Sequence, residues 1–432
     1  MRVRLETLGC RLNIGEMESL ATELTAAGHR IVGPGDPADL CILNTCTVTA
    51  TAARKSRHML RRLRRDNPAA ALVITGCWSQ IDPGAARSTG AQLIVSNEDK
   101  DRLVEVLRDN GLLAGGQPVP ADDATPFPGA HTRAFVKVQD GCDNRCAFCI
   151  VTVARGGGRS RPADDVVAEI RRLAASGYRE AVLSGVHLGS WGRDLDEGSG
   201  LATLVRRVLD ETPVERLRLS SVEPWDLDDR FFELWQDPRL LPHLHLPLQS
   251  GCDATLRRMA RRTDTAAFAR LVELARQAHP DMAVTTDVMA GFPGETEIEF
   301  EESLAFVEAL AFARLHVFRY SRRPGTPAAT MPGQVPGPIA IERGRRLHEL
   351  GARLETAFQS RFLGRTMEVL WEESEPHGAL RRWSGLTGNY LRVVTDTPED
   401  IDLANRISRT VLAERLPGAI RGELAETASP GS

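Results

Sequence analysis

Short apolar runs alternate with helical patterns along most of the chain, and this alternation limits the possible folds more than any other feature. Over residues 1–112 it predicts a doubly wound α/β domain, in which helices cover a parallel sheet. Gly28 is expected to end the first helix. The predicted strands are Val3–Leu8, Leu40–Leu43, Leu72–Thr75 and Gln92–Val95, and the predicted helices are Glu16–Ala27, Ala50–Arg65 and Asp101–Arg108.

The alternation restarts after residues 113–130, which are rich in proline, glycine and alanine and are interpreted as a linker. Six strand–helix units without an antiparallel hairpin pattern occupy residues 131–362 and predict a partial (β/α)6 TIM-like barrel. A long helix is expected over Ile339–Arg361. The predicted barrel strands are Ala134–Val138, Ala181–Ser184, Arg216–Ser220, Leu244–Leu248, Val284–Met289 and Leu315–Tyr320.

Residues 363–427 change character and predict a third unit. Short strands between turn residues are typical of a small β-barrel. They are expected at Met367–Leu370, Tyr390–Val394 and Thr410–Leu412, and the residues after Leu424 are expected to fray.

Composition excludes several classes of protein. With 42% hydrophobic and 26% charged residues, the chain is not predominantly disordered. No apolar run approaches the roughly 18–20 residues of a membrane span, and the first residues show no secretory signal. We therefore expect a cytoplasmic protein without a membrane partner. In that compartment, eight cysteines indicate metal or redox chemistry rather than disulfides.

Three cysteines stand close together directly after the first predicted barrel strand. Cys142, Cys146 and Cys149 have the spacing C-x₃-C-x₂-C. Thiolates normally hold all four irons of a [4Fe-4S] cluster, so three cysteines on one loop can hold three irons and leave the fourth open. A structural zinc site would need two pairs of ligands separated along the chain, and these three cysteines do not form two pairs.

Three other cysteines each follow a predicted strand of the first domain. Cys10, Cys46 and Cys77 lie one to three residues past a strand end. Ligands of open α/β sheets bind just outside the carboxyl ends of the strands. The three thiols are therefore expected to converge on one point.

The cysteine loop, with Phe148 before its third cysteine, resembles that of the radical S-adenosylmethionine (SAM) superfamily. The resemblance implies that the open iron binds SAM and that electron transfer from the cluster cleaves it to a 5′-deoxyadenosyl radical. The protein then orients the reagents and excludes water.

Motifs around the other cysteines resemble the methylthiotransferase family. There the matching cysteines Cys10, Cys46 and Cys77 hold a second, auxiliary [4Fe-4S] cluster that supplies or carries sulfur. The segment Gly385–Tyr390 (GLTGNY) resembles the TRAM domain, a small RNA-binding β-barrel. The similar blocks include Thr7–Asn13 (TLGCRLN), Leu43–Thr49, Thr75–Gln80, Ser184–Gly192 (SGVHLGSWG), Arg216–Pro224 (RLRLSSVEP), Leu246–Gly251, Gly291–Thr296 and Tyr320–Thr326.

One branch of this family has the most similar sequences at four segments: GCRLN, NTCTVT, GVHLGSWG and HVFRYSRRPGT. That branch methylthiolates carbon 2 of threonylcarbamoyladenosine at tRNA position 37, next to the anticodon, and uses an electron donor such as flavodoxin or ferredoxin. Two alternatives share the chemistry: isopentenyladenosine tRNA or a ribosomal-protein aspartate as substrate. A third is a non-catalytic iron–sulfur RNA-binding protein, against which the complete cysteine loop argues.

Candidate SAM-binding residues lie in the cysteine loop and at or just past the ends of the barrel strands, where a barrel enzyme keeps its site. They are Phe148, Gly185, Glu223, Gln249, Asp287 and Glu295. Candidate substrate residues follow the sixth strand, because arginine recognises a carboxylate bidentately and the threonylcarbamoyl group carries one. They are Arg319, Arg322 and Arg323.

The helical pattern after Cys46 carries the strongest basic patch. Ala53–Arg65 contains seven cations and no acid. Contact with tRNA phosphates is the functional hypothesis, and a merely solvated helix is the alternative. The residues singled out are Arg57, Arg61, Arg62 and Arg65, with a weaker patch at Arg257–Arg262.

Two features depart from the family pattern. Thr152 and Val153 replace a usual Pro-Tyr pair before Ala154-Arg155-Gly156. The tail from Leu363 to Leu424 has eight arginines against ten acidic residues, a net charge of −2, so a dominant grip on phosphates by this tail is not expected.

Overall fold

The computed structural model describes residues 1–47, 50–113, 132–195, 198 and 200–425. Its first unit is a parallel sheet with strands in the order second, first, third, fourth, fifth, a doubly wound arrangement. The strands are β1 (Arg2–Thr7), β2 (Arg30–Ile31), β3 (Leu40–Thr45), β4 (Ala71–Gly76) and β5 (Leu93–Ile94). The helices are α1 (Arg11–Ala26), α2 (Ala50–Asp66), α3 (Cys77–Ile81), α4 (Pro83–Arg87) and α5 (Leu103–Asp109).

Helices cover both faces of this sheet, because alternate residues of β3 and β4 pack into different cores. Ile42 and Val73 pack with α1 and α5, whereas Leu43 and Ile74 pack against α2. The predicted strands are present, and the short β2 is an addition. The predicted start of the first helix at Glu16 was wrong, because an extended Cys10 caps a helix that begins at Arg11.

The second unit is the partial barrel. Its six parallel strands are β6 (Arg133–Asp140), β8 (Glu180–Gly185), β9 (Arg216–Leu219), β10 (His243–His245), β11 (Ala283–Ala290) and β12 (Arg314–Arg319). Isolated bridges join β9 to β10, as between Ser221 and His245. The helices of this unit are α6 (Val151–Arg155), α7 (Ala163–Ala175), α8 (Leu201–Glu211), α9 (Asp253–Arg258), α10 (Thr265–Ala278), α11 (Glu297–Leu310) and α12 (Gly337–Ser360).

Alternate residues of the barrel strands face the helices and the barrel interior. Leu183 and Leu217 belong to the core under the helices, whereas Glu180 and Arg218 pair with each other inside the barrel. One expectation was wrong: a two-residue strand, β7 (Arg159–Ser160), pairs antiparallel with the end of β6.

The third unit is a closed five-stranded barrel in the order first, second, third, fifth, fourth. Its strands are β13 (Thr366–His377), β14 (Leu380–Thr387), β15 (Arg392–Thr397), β16 (Ile407–Leu416) and β17 (Ala419–Leu424). The sequence predicted neither β14 nor β17. Tyr390, predicted to begin a strand, instead has φ +69° and lies in the turn before β15.

The first unit packs directly on the partial barrel through α1. A methyl group on Gly15 would lie 2.2 Å from the carbonyl oxygen of Phe135 on β6, so the backbones are in close contact. Of the predicted linker 113–130, only Leu113 lies within the described residues, and most of the tail expected to fray lies outside them. Among the described helices, none is long and apolar enough to cross a membrane.

Candidate active site

The loop after β6 places Cys142, Cys146 and Cys149 at the carboxyl end of the barrel strands. It opens at Gly141, which has φ +70°. A methyl group there would lie 1.8 Å from the carbonyl oxygen of Gly157. Glycine is therefore required for the chain to turn into the loop.

Two N–H groups point at thiol sulfurs of this loop. The backbone N of Val151 donates to Sγ of Cys149 over 3.4 Å, and Nη1 of Arg261 donates to Sγ of Cys146 over 3.8 Å. Hydrogen bonds to cysteine sulfur tune the reduction potential of iron–sulfur clusters. The loop, with these two N–H donors, therefore fits an iron–sulfur cluster. Burial raises the pKa of Cys149 to about 11, and coordination to a metal would deprotonate that thiol.

Cys10, Cys46 and Cys77 follow the neighbouring strands β1, β3 and β4 and meet at one edge of the sheet. Cys10 is exposed, whereas the other two are buried. A methyl group on Gly9 would lie 2.9 Å from Sγ of Cys46, and one on Gly76 would strike the end of β3. Both glycines have positive φ and leave room for the cysteines.

The structure brings neither set of cysteines around a single ion. Within the described ranges, no three Cys, His, Asp or Glu side chains are gathered closely enough to hold one metal ion. A [4Fe-4S] cluster is held by cysteine thiolates, and each set supplies three thiols. Each set of three thiols thus has the donor chemistry that a cluster needs.

The two cysteine sets are connected by the buried side chain of Arg155, at the end of α6. Its Nη1 donates to Glu16 and to Asp140, both over 2.9 Å, and its Nη2 donates to Oδ1 of Asn13 over 2.7 Å. Asp140 precedes the loop of the barrel, whereas Asn13 accepts from Sγ of Cys10 over 3.7 Å. One guanidinium therefore fixes both loops relative to each other.

Sequence reasoning missed Arg155, although a signal was present. Residues 154–156 keep the Ala-Arg-Gly of the family pattern, whereas Thr152 and Val153 do not keep its Pro-Tyr. Val153 is 56% exposed, so the altered residue lies on the surface while the retained arginine lies at the junction.

The candidate SAM-binding residues surround the mouth of the partial barrel. Phe148 stacks edge-on against Phe292 with ring centroids 6.4 Å apart, and Gly185 ends β8. Gln249 is buried with φ +76°. Asp287 faces the interior, where its Oδ1 lies 3.3 Å from Nε2 of His245.

Two of the candidate carboxylates already hold arginines. Glu223 accepts from Arg261 over 2.6 Å and 3.1 Å. Glu295 is buried and accepts from Arg343 and from the backbone N of Gly291, each over 2.8 Å. The weak basic patch at Arg257–Arg262 was partly wrong, since Arg261 is buried beside Cys146.

The three candidate substrate arginines are not brought together. The stem of Arg319 lies against Gly344 of α12, on the outer side of the strand, because successive side chains of a strand alternate between its two faces. Arg322 is exposed. Nη2 of Arg323 donates to the carbonyl of Thr47, next to Cys46. Only Arg323 reaches the space between the cysteine sets, so the grouping with Arg319 was wrong.

His187, which sequence reasoning did not single out, lies in the GVHLG block and is buried beside the cysteine loop. Its Nε2 lies 2.6 Å from Oδ2 of Asp226, and the thiol of Cys142 lies near its ring. Burial alone would lower the pKa of His187, but the hydrogen bond to Asp226 and the nearby Cys142 raise it to about 9. The position of His187 in a family block was the available signal.

The basic helix α2 has the predicted orientation. Leu60 and Leu63 are buried, and the candidate arginines face solvent. Arg62 and Arg65 lie within 3.5 Å and 3.0 Å of Asp66. Within the described residues, Arg57 and Arg61 make neither an ion pair nor a hydrogen bond. The candidate arginines are Arg57, Arg61, Arg62 and Arg65.

Comparison with known proteins agrees with this geometry. The radical SAM superfamily profile matches residues 136–307, and a profile described as uncharacterized protein family UPF0004 matches residues 2–112. The radical SAM methyltransferase TsrM from Kitasatospora setae, solved with cobalamin and a [4Fe-4S] cluster, superposes with a TM-score of 0.57 at 17% identity, over 76% of this chain and 77% of that one. The barrel and its cysteine loop thus define a radical SAM enzyme.

Curated relatives match over most of the chain. The threonylcarbamoyladenosine tRNA methylthiotransferase MtaB of Thermotoga maritima is 37% identical over 90% of each chain. That of Bacillus subtilis is 35% identical over 92% of this chain and 91% of the relative. A tRNA-2-methylthio-N(6)-dimethylallyladenosine synthase of Novosphingobium aromaticivorans is 35% identical over 98% of this chain and 97% of the relative. The chain belongs to the radical SAM methylthiotransferase family.

Proposed function

We propose that this enzyme methylthiolates carbon 2 of threonylcarbamoyladenosine at tRNA position 37. The observation that carries the proposal is the junction at Arg155, which connects a complete radical SAM loop to a second set of three cysteines. A radical enzyme that only cleaves SAM does not require the second set. Two of the relatives described above are named for this nucleoside, which supports this substrate over the alternatives.

We assign a [4Fe-4S] cluster to each set of cysteines. Cys142, Cys146 and Cys149 would hold the cluster that binds and cleaves SAM, within a radical SAM unit at 131–362. Cys10, Cys46 and Cys77 would hold an auxiliary cluster in the unit at 1–112. When bound, one cluster would supply the electron that cleaves SAM, and the other would supply or carry the sulfur. The chain itself holds the thiolates, sets their separation through Arg155 and orients both substrates.

We assign SAM to the barrel mouth, where Phe148, Gly185, Gln249 and Asp287 lie. Glu223 would contribute to SAM binding while its carboxylate stays bound to Arg261. Glu295 would contribute to SAM binding indirectly, by holding the backbone of Gly291 in the loop after β11. These roles follow from position, because barrel enzymes bind substrates at the carboxyl ends of their strands.

The carboxylate of the substrate would bind at Arg323, with Arg322 beside it. Arg323 is half-buried and lies next to Cys46, so a bound threonylcarbamoyl group would be held beside the proposed auxiliary cluster. A site built around a carboxylate would discriminate against an apolar isopentenyl group by about 10⁴-fold, since the arginine would lose its partner.

The tRNA would contact α2, whose exposed arginines lie on the helix that follows Cys46. Phosphate contacts position a nucleic acid without recognising its sequence. The TRAM-like barrel at 363–427 would add contacts through shape rather than charge. An electron donor such as flavodoxin or ferredoxin would reduce the clusters.

Nucleoside mass spectrometry of tRNA tests the proposal directly. A strain lacking the chain should lose methylthio-threonylcarbamoyladenosine and accumulate the unthiolated nucleoside, and a plasmid copy should restore the product. Loss of the methylthio group from isopentenyladenosine, or from a ribosomal-protein aspartate, would support one of the alternative substrates instead. Failure of the reduced protein to form 5′-deoxyadenosine would favour the non-catalytic alternative.

A further inference from the structure

Residues of three sequence blocks, none of which has itself been assigned a role, meet at one phenol in the structure. The Oη of Tyr390, from GLTGNY, accepts from Nη1 of Arg133 over 2.9 Å and from Nη2 of Arg11, from GCRLN. The guanidinium of Arg218, from RLRLSS, lies 4.4 Å from the centre of the Tyr390 ring. His243 stacks on the ring with centroids 4.6 Å apart. All three units of the protein therefore contribute to this cluster.

The turn that carries Tyr390 is docked by its backbone at the amino-terminal end of the barrel strands. Arg218 donates to the carbonyl of Gly388 over 3.0 Å, and Arg216 donates to that of Leu386 over 3.3 Å. Both arginines also bond to Glu180. The C-terminal barrel is thus held by buried charged groups of the radical SAM barrel, and Tyr390 extends from it to α1.

The electrostatics of the cluster favour a strong bond to the phenol. Burial raises the pKa of Tyr390, but the charges of Arg11, Arg133 and Arg218 outweigh it and lower that pKa below its ordinary value. A phenol oxygen among three guanidinium groups is a good acceptor, since hydrogen bonds with charged partners are the stronger kind.

Arg11 is the residue directly after Cys10, and Cys10 caps the amino end of α1. Asn13, two residues further along in the same turn, accepts a hydrogen bond from Arg155. The first turn of α1 is therefore fixed from two sides, by Tyr390 of the C-terminal barrel and by Arg155 at the end of α6. The contact of Arg11 with Tyr390 does not involve the sulfur of Cys10, whereas Oδ1 of Asn13 accepts from both Arg155 and that sulfur.

We propose that Tyr390 is a positioning residue for the auxiliary cluster: through Arg11 it fixes the first turn of α1 and hence the ligand Cys10. The C-terminal barrel then has a role besides contact with RNA, because it stabilises the site of sulfur chemistry in another unit. The inference rests on the proposed cluster at Cys10, Cys46 and Cys77.

The test uses full-length protein reconstituted anaerobically, with Tyr390→Phe as the main variant. This change keeps the ring but removes the phenol oxygen. Hydrogen exchange at residues 10–17 should become faster, in both the metal-free and the loaded protein. In a background of Cys142→Ala, Cys146→Ala and Cys149→Ala, which leaves only the auxiliary cluster, iron release to a chelator should be accelerated about tenfold, with a changed electron paramagnetic resonance spectrum.

Matched variants separate positioning from general destabilisation. Tyr178→Phe also removes a half-buried phenol near α1, beside Glu18, and should leave iron release unchanged. Arg11→Lys, which can still donate to Tyr390, should rescue most of the effect of Arg11→Leu. The double variant Arg11→Leu with Tyr390→Phe should be no worse than Tyr390→Phe alone, since loss of the phenol oxygen already removes the hydrogen bond from Arg11.

Two outcomes separate this inference from the proposed function. Unchanged exchange and unchanged iron release in Tyr390→Phe would overturn the inference and leave the cluster assignment standing. If Cys10→Ala, Cys46→Ala and Cys77→Ala together left the iron content unchanged, the cluster assignment would fail. The Tyr390–Arg11 contact would then be judged by hydrogen exchange alone, and its role at a cluster would be rejected.

Discussion

A buried carboxylate inside the barrel shows how single residues set the stability of this enzyme. Glu180 is fully buried, and its two oxygens accept from Arg216 and Arg218, each over 2.9 Å. Burial alone would raise the pKa of Glu180, but the two arginines lower it to about 2. Breaking a buried pair of this kind costs about 3–5 kcal/mol, because a charge is left without its partner.

Glu180→Gln should therefore lower stability near neutral pH and flatten its dependence on pH. The folded pKa of about 2 lies below an unfolded value of about 4.3. The ionised carboxylate thus contributes about 3 kcal/mol that is fully present above the unfolded pKa and is lost as the pH falls through the folded one. Urea unfolding of the metal-free chain between about pH 7 and pH 3 measures this.

The exposed Glu233→Gln is the control for that experiment. Its carboxylate lies 4.0 Å from Arg206 on the surface, where an ion pair contributes about 0–1 kcal/mol. Its unfolding curve should follow the wild type at each pH. A pH profile of Glu180→Gln parallel to the wild type would contradict the assigned role of the pair.

Replacement of one cysteine should separate the two proposed clusters. Cys10→Ala removes a thiol of the auxiliary set but leaves the loop at Cys142 intact, so reduced protein should still form 5′-deoxyadenosine while making no methylthio product. Cys146→Ala should do neither. Cys41→Ala is the matched control, since Cys41 is buried in the core under α2 and should retain both activities. Full thiolation by Cys10→Ala would exclude the auxiliary role.

At the scale of helices and strands, periodicity predicted the layers but not the contacts between them. The strand–helix alternation was sufficient for both parallel sheets, because burial on both faces produces apolar runs. It could not find β14, whose first residues include the exposed Arg381 and the half-buried Arg382 in a small barrel. Nor could it find the turn at Tyr390, because the positive φ there is held by partners in other units.

The candidate site was likewise predictable only where it depends on local sequence patterns. The cysteines were found because their spacing and their place after strands are local properties. The contacts of Arg155 join residues more than 100 positions apart, which no local pattern encodes. The prediction for Arg319 was wrong for a simpler reason. A shift of one residue along a strand moves a side chain from one face to the other, and the sequence does not fix the strand end to one residue.

Helix α2 should contribute the salt-dependent part of tRNA affinity. Reversing the charges of Arg61, Arg62 and Arg65 should weaken binding and reduce the slope of log affinity against log salt by about 0.7–0.9 for each phosphate that is no longer neutralised. Filter binding with unmodified tRNA across a range of salt concentrations measures the slope. Iron content should not change, since these side chains face solvent.

The control for α2 reverses three arginines elsewhere on the surface. Arg171, Arg172 and Arg206 are exposed on α7 and α8. Their reversal makes the same change in net charge, so it tests whether any loss of affinity is local to α2. Equal slopes in both triple variants would favour the alternative of a merely solvated helix.

Across the whole molecule, six cysteines in two units predict two clusters and about eight irons per chain. The triple variant Cys142→Ala, Cys146→Ala and Cys149→Ala should hold half of the iron, and so should Cys10→Ala, Cys46→Ala and Cys77→Ala. The variant lacking all six should hold none. Iron analysis after anaerobic reconstitution measures this, and undiminished iron in either triple variant would remove one cluster from the assignment.

Three glycines impose a constraint that extends beyond this reaction. Gly9, Gly76 and Gly141 each precede a cysteine at positive φ, and in each case an added methyl group would strike a neighbouring atom. None of them carries a group that could bind iron. In a survey of all single substitutions selected for function, these glycines should nevertheless tolerate as few replacements as the cysteines beside them. Their intolerance would come from lack of room, which means that a catalogue of invariant positions in this enzyme overstates the number of residues that do chemistry.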